Sequence, residues 1–422
     1  MIQTRRTLGA LAAALLIVSP FAAGAQPPST KTHWVGSWAA SQQVPEPQNA
    51  LAPQDLADAT LRQIVRLTAG GRQVRVRLSN VHGTAPLRFT SVHVAKPLSV
   101  SSPRIDVATD HAATFSGQTE VVVPAGAEYL SDPIDLSVAP LSDLAITVYL
   151  PASPERQTSH PGSRATSYVL AGQHVADADL PGAKTVDHWF ALSGVDVVGQ
   201  TRGAVGQTRG AVVILGDSIT DGYGVAPNSN LRWPDHLAAR LQASAKTRHL
   251  SVLNQGIGGN RVLRDGSGPN ALARFERDVL SQTGVAYLIV LEGVNDLGVL
   301  TRDAPATPEA HAALVRDMTG AYGQMIERAR ARGIKVIGAT ILPYAGSAYY
   351  HPTAVNEADR QAINAWIRAP GHFDAVIDFD LLMRDPAKPE RLNAAYDNDG
   401  LHPSMAGYKA MADAIPLSLF DH

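Results

Sequence analysis

The apolar run Ala211–Leu215 leads directly into Gly216-Asp217-Ser218-Ile219-Thr220. A buried strand that stops at Gly-Asp-Ser can hold Ser218 at the start of the next helix, with its amide near the helix N-terminus and its hydroxyl available as a nucleophile. Taken alone, Ser218 is better explained as a helix cap. A serine hydroxyl is a poor nucleophile until a base takes its proton. His402, in Asp397-Asn398-Asp399-Gly400-Leu401-His402, is the natural base. A carboxylate shortly before it could accept the other imidazole N–H and fix the tautomer, and both Asp399 and Asp397 are candidates for that role.

Attack on an ester carbonyl would create an oxyanion, which needs preorganised donors. Two further segments offer them. In Asn254-Gln255-Gly256-Ile257-Gly258-Gly259-Asn260-Arg261 the glycines let backbone amides come close to a ligand. In Leu291-Glu292-Gly293-Val294-Asn295-Asp296 a side-chain amide follows an apolar run, although an Asx turn accounts for that pair equally well. The candidate donors are the Ser218 amide, the Gly259 amide and the Asn295 side chain, with Gly258 replacing Gly259 if the register shifts by one. Tyr223, Arg261 and Tyr344, the last in the loop from Pro343 to Tyr350, are candidate substrate contacts, with packing as the alternative.

Other chemistries fail on particular residues. Thr220 occupies the last glycine of G-x-S-x-G, no G-K-[ST] follows, and Arg261 replaces the third glycine of G-x-G-x-x-G. A calcium-loop frame around Asp399-Gly400 would put Ala395 first and Ala406 twelfth. Cysteine is absent, which removes thiolate sites and disulfides, and there is no H-E-x-x-H. The proposed chemistry requires no metal or cofactor.

These residues need a scaffold, and the pattern from Ala211 onward supplies one: short apolar strands at Ala211–Leu215, Leu250–Leu253, Ala286–Leu291, Lys335–Ile341 and Ala375–Phe379 alternate with helical stretches. Helices are expected at 233–241, 310–331, 357–367 and 404–415, the second stopped by Gly333. The four segments then fall at strand carboxyl ends, where open parallel sheets bind ligands. From about Leu61 to Val198 the period changes to two, as in Gln73-Val74-Arg75-Val76-Arg77-Leu78, with Pro, Gly, Ser and Asp clusters between runs. This predicts an all-β sandwich or jelly roll. Arg62, Arg66, Arg72, Arg75 and Arg77 read as a solvated strand face, and Trp34 and Trp38 as buried strand residues rather than sugar-stacking platforms. Between the regions Gly199–Val205 is repeated as Gly206–Val212, a lengthened linker.

Met1 to Ala25 has the form of an export signal, with Arg5-Arg6, an apolar run Leu8–Val18 and Ala23-Gly24-Ala25 as cleavage site. The run is short for a membrane anchor of about 20 residues. The expected organisation is thus a signal at 1–25, a β-rich region at 26–198, a linker at 199–210 and an α/β domain at 211–422, exported to the periplasm or medium. Lys plus Arg (36) nearly balances Asp plus Glu (38). No general basic field exists for nucleic acid or an anionic membrane.

Gly216-Asp217-Ser218, Asn254 with Gly259, Gly293-Val294-Asn295-Asp296 and Asp399-Gly400-Leu401-His402 together, in this order, resemble the SGNH (GDSL) hydrolase superfamily over about half the chain. The serine block departs from the pattern only in having Ile219 where leucine is usual. The resemblance implies a flavodoxin-like three-layer α/β/α domain and a Ser218–His402–Asp399 triad. It also implies hydrolysis of carboxylic esters, acetylated sugars, lipids and thioesters among them. Low aromatic content and the lack of a long apolar helix favour short acyl groups, with acetylated polysaccharide as one expected substrate. The alternatives are a longer-chain lipase or thioesterase, or a non-catalytic carbohydrate-binding or envelope protein on the same fold. Because every proposed catalytic group follows Ala211, the β-rich region is expected to serve stability or the placing of large substrates, not bond-breaking.

Overall fold

The run Ala211–Leu215 has no polar side chain, and the fold buries it completely. In the computed structural model, which describes residues 1–2, 33–199 and 210–421, it forms the strand β1 (Gly210–Gly216) of a five-stranded parallel sheet. The other strands are β2 (Leu250–Gly256), β3 (Val285–Leu291), β4 (Lys335–Ala339) and β5 (Ala375–Ile377), in spatial order β2-β1-β3-β4-β5. The chain runs outward from β1 to β2 and then returns to β3 on the other side, so the strand order reverses at β1. The crevice at that switch point is where open α/β sheets take their ligands. Nearly all of the proposed export signal and residues 200–209 of the duplicated linker lie outside the described residues.

The helices are α1 (Ser218–Asp221), α2 (Trp233–Ala243), α3 (Ala271–Phe275), α4 (Val294–Arg302), α5 (Pro308–Arg330), α6 (Ala354–Arg368), α7 (Phe379–Met383) and α8 (Met405–Ala414). α2 packs with α8, whereas α5 packs with α3 and α6. Thr307 and Ser404 cap α5 and α8 through their side chains, satisfying first-turn amides. Gly333 follows α5 with φ of +72°, as its position after the apolar periodicity predicts.

The region before β1 is antiparallel throughout. Its larger sheet has six strands in the order Lys184–Val186, Ser167–Ala171, Ala59–Arg66, Asp143–Leu150, Ser91–Pro97, Ile105–Ala112, and a second has four, His33–Ala39, Leu192–Gly199, Val74–Ser79, Glu128–Leu130. Val74, Val76 and Leu78 of the smaller sheet share one apolar core with Leu61, Val92 and Ile146 of the larger. This is the period-two pattern made physical. Trp38 is buried in that core, while Trp34 is half-buried with the Arg75 guanidinium 4.5 Å from its ring centroid.

Two of the five arginines depart from expectation, while Arg72 is exposed and Arg66 and Arg75 are half-buried. Arg62 is fully buried and donates to the carbonyls of Pro103, Val175 and Asp177 and to Thr147 Oγ1. Arg77 is buried beside Asp196 and Thr283. Alternation alone cannot reveal that loops fold over an outer face and supply carbonyl acceptors.

The two regions meet along the free edge of β2. Gly36 donates its amide to Thr283 O at 2.9 Å, and a Cβ there would lie 2.9 Å from Leu253 Cδ1. Thr68 Oγ1 accepts from Val252 N at 3.0 Å while its own proton serves Ser37 O at 2.7 Å. Val35 and Ala39 belong to the apolar core of the α/β region. The β-rich region therefore covers a sheet edge that would otherwise invite association. A chain beginning near Gly206 is expected to aggregate or lose its activity even on small esters. A soluble, cooperatively melting truncation with full small-ester rate would contradict this.

Candidate active site

At the end of β1 the chain makes one short helical turn. Asp217 caps it by accepting from Ile219 N at 2.9 Å, and Gly222, at φ +91°, closes it by donating to Ser218 O. Ser218 is thereby fixed as the first residue of α1, 6% exposed. Asn254 braces the turn from β2, donating from Nδ2 to Thr220 O at 2.8 Å.

Ser218 Oγ lies 2.8 Å from His402 Nε2, and His402 Nδ1 lies 2.9 Å from Asp399 Oδ2. Since a carboxylate only accepts, Nδ1 carries the proton and Nε2 can take one from the serine. Asp399 Oδ1 also accepts the His402 and Leu401 amides at 2.8 and 3.1 Å. Partial burial pushes the Asp399 carboxyl up, but its bonds from the imidazole and these amides outweigh it and hold the group down at about 2. Asp397, the rival orienter, accepts from Gly400 N at 2.6 Å and shapes the turn. The Tyr223 ring stacks on His402 at 4.1 Å.

The proposed donors come to the same cavity. Asn295, in the first turn of α4, donates from Nδ2 to Asn260 O at 2.7 Å and accepts at Oδ1 from the Tyr350 hydroxyl at 2.6 Å. Those two bonds fix the amide orientation and leave the second Nδ2 hydrogen for another acceptor. Gly258 gives its amide to Asp221 Oδ2 at 3.2 Å, which leaves Gly259, at φ +74°, as the loop's candidate donor.

The cavity has a volume of about 720 Å³, and Ser218, Gly259, Asn295, Asp399 and His402 all line it. Tyr223, Tyr349 and Tyr350 line it too, but Arg261 and Tyr344 do not. Tyr344 is 1% exposed, and the Arg261 guanidinium is turned to the Asp265 carbonyl. The sequence reading missed the opposite wall. Gln43, Glu46, Asn49, Arg164 and His188 reach the cavity from the β-rich region, so that region lines the site as well as bracing the sheet. Turn segments far from Ser218 in the chain carry no periodicity that would betray this.

Residues 214–410 match the GDSL-like Lipase/Acylhydrolase family. The chain carries a GDSL-like acylhydrolase domain. No curated protein matches it. Among solved structures it is similar to a GDSL-like lipase from Bacteroides thetaiotaomicron, at 24% identity over 50% of this chain and 88% of that one, with a TM-score of 0.38. It is also similar to the acetyl xylan esterase AlAXEase, at 22% identity over 48% and 96%, with a TM-score of 0.37. An α/β hydrolase from the metagenome of Lake Arreo, Spain, matches at 23% over 49% and 92%, with a TM-score of 0.34.

Beneath the Ser218 turn the acylhydrolase domain buries an ionic cluster. Arg274, fully buried, donates to Gly216 O, Gln255 O and Ser41 Oγ, pairs with Asp278 at 3.1 Å and lies 3.6 Å from Glu292. Burial pushes the Asp217 carboxyl up to about 7, despite the Ile219 amide bond, and the nearby Asp296 charge adds to the rise. Glu292 is pushed well up by burial and then by Asp217. Its oxygens have no hydrogen-bond partner among the described residues.

The consequence for stability has a definite sign. Between the ordinary carboxyl value of 3.8 and about 7, the folded chain keeps a proton on Asp217 that the unfolded chain releases. Stability is therefore full below that window and is lost as pH rises through it. Asp217→Asn keeps a capping side chain and is expected to melt roughly 2–5 °C above the wild type at pH 8, with the gap closing at pH 4. A gap independent of pH, measured by calorimetry, would mean that Asp217 is ionised in the fold.

Proposed function

We propose that this acylhydrolase is a serine esterase that removes short acyl groups, acetyl above all, from a carbohydrate or another polar alcohol. The observation that carries the reading is the Ser218–His402–Asp399 relay, at 2.8 and 2.9 Å, opening on a cavity that also receives Gly259 and Asn295. His402 takes the Ser218 proton as the hydroxyl attacks the ester carbonyl. The amides of Ser218 and Gly259 and the Asn295 side chain stabilise the oxyanion. His402 then returns the proton to the leaving alcohol and activates the water that releases the acid. Asp399, held ionised by its bonds, keeps the imidazole in one tautomer.

One wall of the cavity supports a polar alcohol: Gln43, Glu46, Asn49, Arg164 and His188 stand there, while Tyr223, Tyr349, Tyr350 and Leu401 give the rest an apolar lining. On aryl esters, kcat/KM is expected to fall at least about tenfold between acetyl and octanoyl, since an alkyl chain laid against the polar wall strips water from side chains it cannot hydrogen-bond. A rate that climbs with chain length would favour a lipase instead. Acetate release from acetylated polysaccharides tests the alcohol side. Export rests on the Met1–Ala25 pattern, and a mature N-terminus at Gln26 would support it.

A further inference from the structure

Behind the nucleophile turn lies a second imidazole–carboxylate contact, one that the proposed reaction does not use. His160, in the two-residue strand Ser159–His160 of the β-rich region, places Nε2 3.0 Å from Asp221 Oδ1, 61 residues along the chain. The side chains are only 4% and 3% exposed. His160 Nδ1 lies 2.8 Å from Ser41 O. A carbonyl and a carboxylate both only accept, so the imidazole serves both by donating from both nitrogens while Asp221 is ionised. The ring is stacked on Trp189 at 5.6 Å, and Trp189 is anchored through its indole N–H to Ile64 O.

Asp221 faces two ways. It is the last residue of α1, the turn that begins with Ser218. Its other oxygen accepts the Gly258 amide at 3.2 Å. Gly162 lies against the same carboxylate so closely that a Cβ would fall 1.8 Å from Oδ2. From Ser41 through His160 and Asp221 to Gly258, a chain of hydrogen bonds, buried as far as Asp221, thus runs from the β-rich region to the residue beside Gly259.

We propose that His160 is a positioning residue for acyl transfer: through Asp221 it fixes the Gly258–Gly259 loop relative to Ser218, so that the Gly259 amide meets the oxyanion. The inference rests on the esterase reading above and deepens it, because it makes the β-rich region necessary for turnover of even the smallest ester. Pre-set donors stabilise a transition state only if held to a fraction of an ångström, and displacement by about 1 Å can cost a hundredfold.

The test uses the full chain with a small aryl acetate. Wild-type turnover is measured first; its absence would overturn the esterase reading and this inference with it. H160L removes both donors, and its kcat is expected to fall roughly 10- to 100-fold while KM moves less than about threefold. H160Q returns one N–H near the Nε2 position and should recover most of the loss. Across the three proteins, affinity for an aryl trifluoromethyl ketone, which mimics the tetrahedral adduct, should track kcat/KM. Two results would overturn the inference while leaving the esterase reading intact. One is an H160L kcat within twofold of wild type. The other is an equal loss in H160L and H160Q with KM and melting temperature falling together, which marks plain structural damage.

Discussion

Ser218→Ala is expected to give a folded chain whose ester turnover is lower by at least about 10⁴-fold, the scale set by removing a nucleophile from a cooperating triad. The fold should survive because, among the described residues, the Ser218 hydroxyl bonds only to His402, while the turn is held by Asp217, Gly222 and Asn254. Of the three serines that line the cavity, Ser218, Ser267 and Ser347, Ser218 is the one hydrogen-bonded to His402 among the described residues. Residual activity above about 1% of wild type, in protein shown by mass to be free of wild-type chain, would reject Ser218 as nucleophile.

The second large effect is at Asn295. Losing one oxyanion donor is expected to lower kcat by roughly 10²- to 10³-fold with little change in KM. Alanine, however, also removes the acceptor of the Tyr350 hydroxyl and the donor to Asn260 O, and the loop from Ser347 to Tyr350 could shift as a result. Asn295→Asp separates the two causes, since it keeps an acceptor for Tyr350 and lacks the donors. If donation is what matters, the aspartate variant should lose at least as much kcat as the alanine variant, because its carboxylate only accepts and its charge opposes the oxyanion. Activity restored in the aspartate variant would assign Asn295 to loop positioning, and a loss confined to KM would assign it to substrate binding.

What the sequence disclosed about this site follows from where the information sits. Ser218, Asn254, Gly259 and Asn295 each lie within six residues after the end of an apolar run. A parallel sheet brings such strand ends together, so their convergence could be read from position alone. Asp399 and His402 are three residues apart and lie on one turn. Choosing between Asp397 and Asp399 needed the geometry, in which one orients the imidazole and the other shapes the backbone. His160 and Arg164 could not be found this way. They lie in a two-residue strand and the turn after it, in an antiparallel region, and Arg164 reaches the cavity and His160 the back of the Ser218 turn only because that region packs across the edge of β2. The buried Arg62, on a strand whose alternation marks it as solvent-facing, failed for a related reason: long-range covering by loops leaves no local period. The substrate contacts divide similarly, with Tyr223 placed by its nearness to Ser218 and Tyr344 misplaced because a loop's inward and outward residues follow no rule of spacing.

The most direct test of the central claim is to expose the wild-type chain to an aryl phosphonate ester and map the adduct by peptide mass spectrometry, with a His402→Ala chain treated in parallel. A serine activated by His402 within an oxyanion-stabilising cavity should give one adduct per chain, on Ser218, at a rate that falls steeply without the imidazole. An adduct on any other residue, or labelling of Ser218 that is as fast without His402 as with it, would contradict the account.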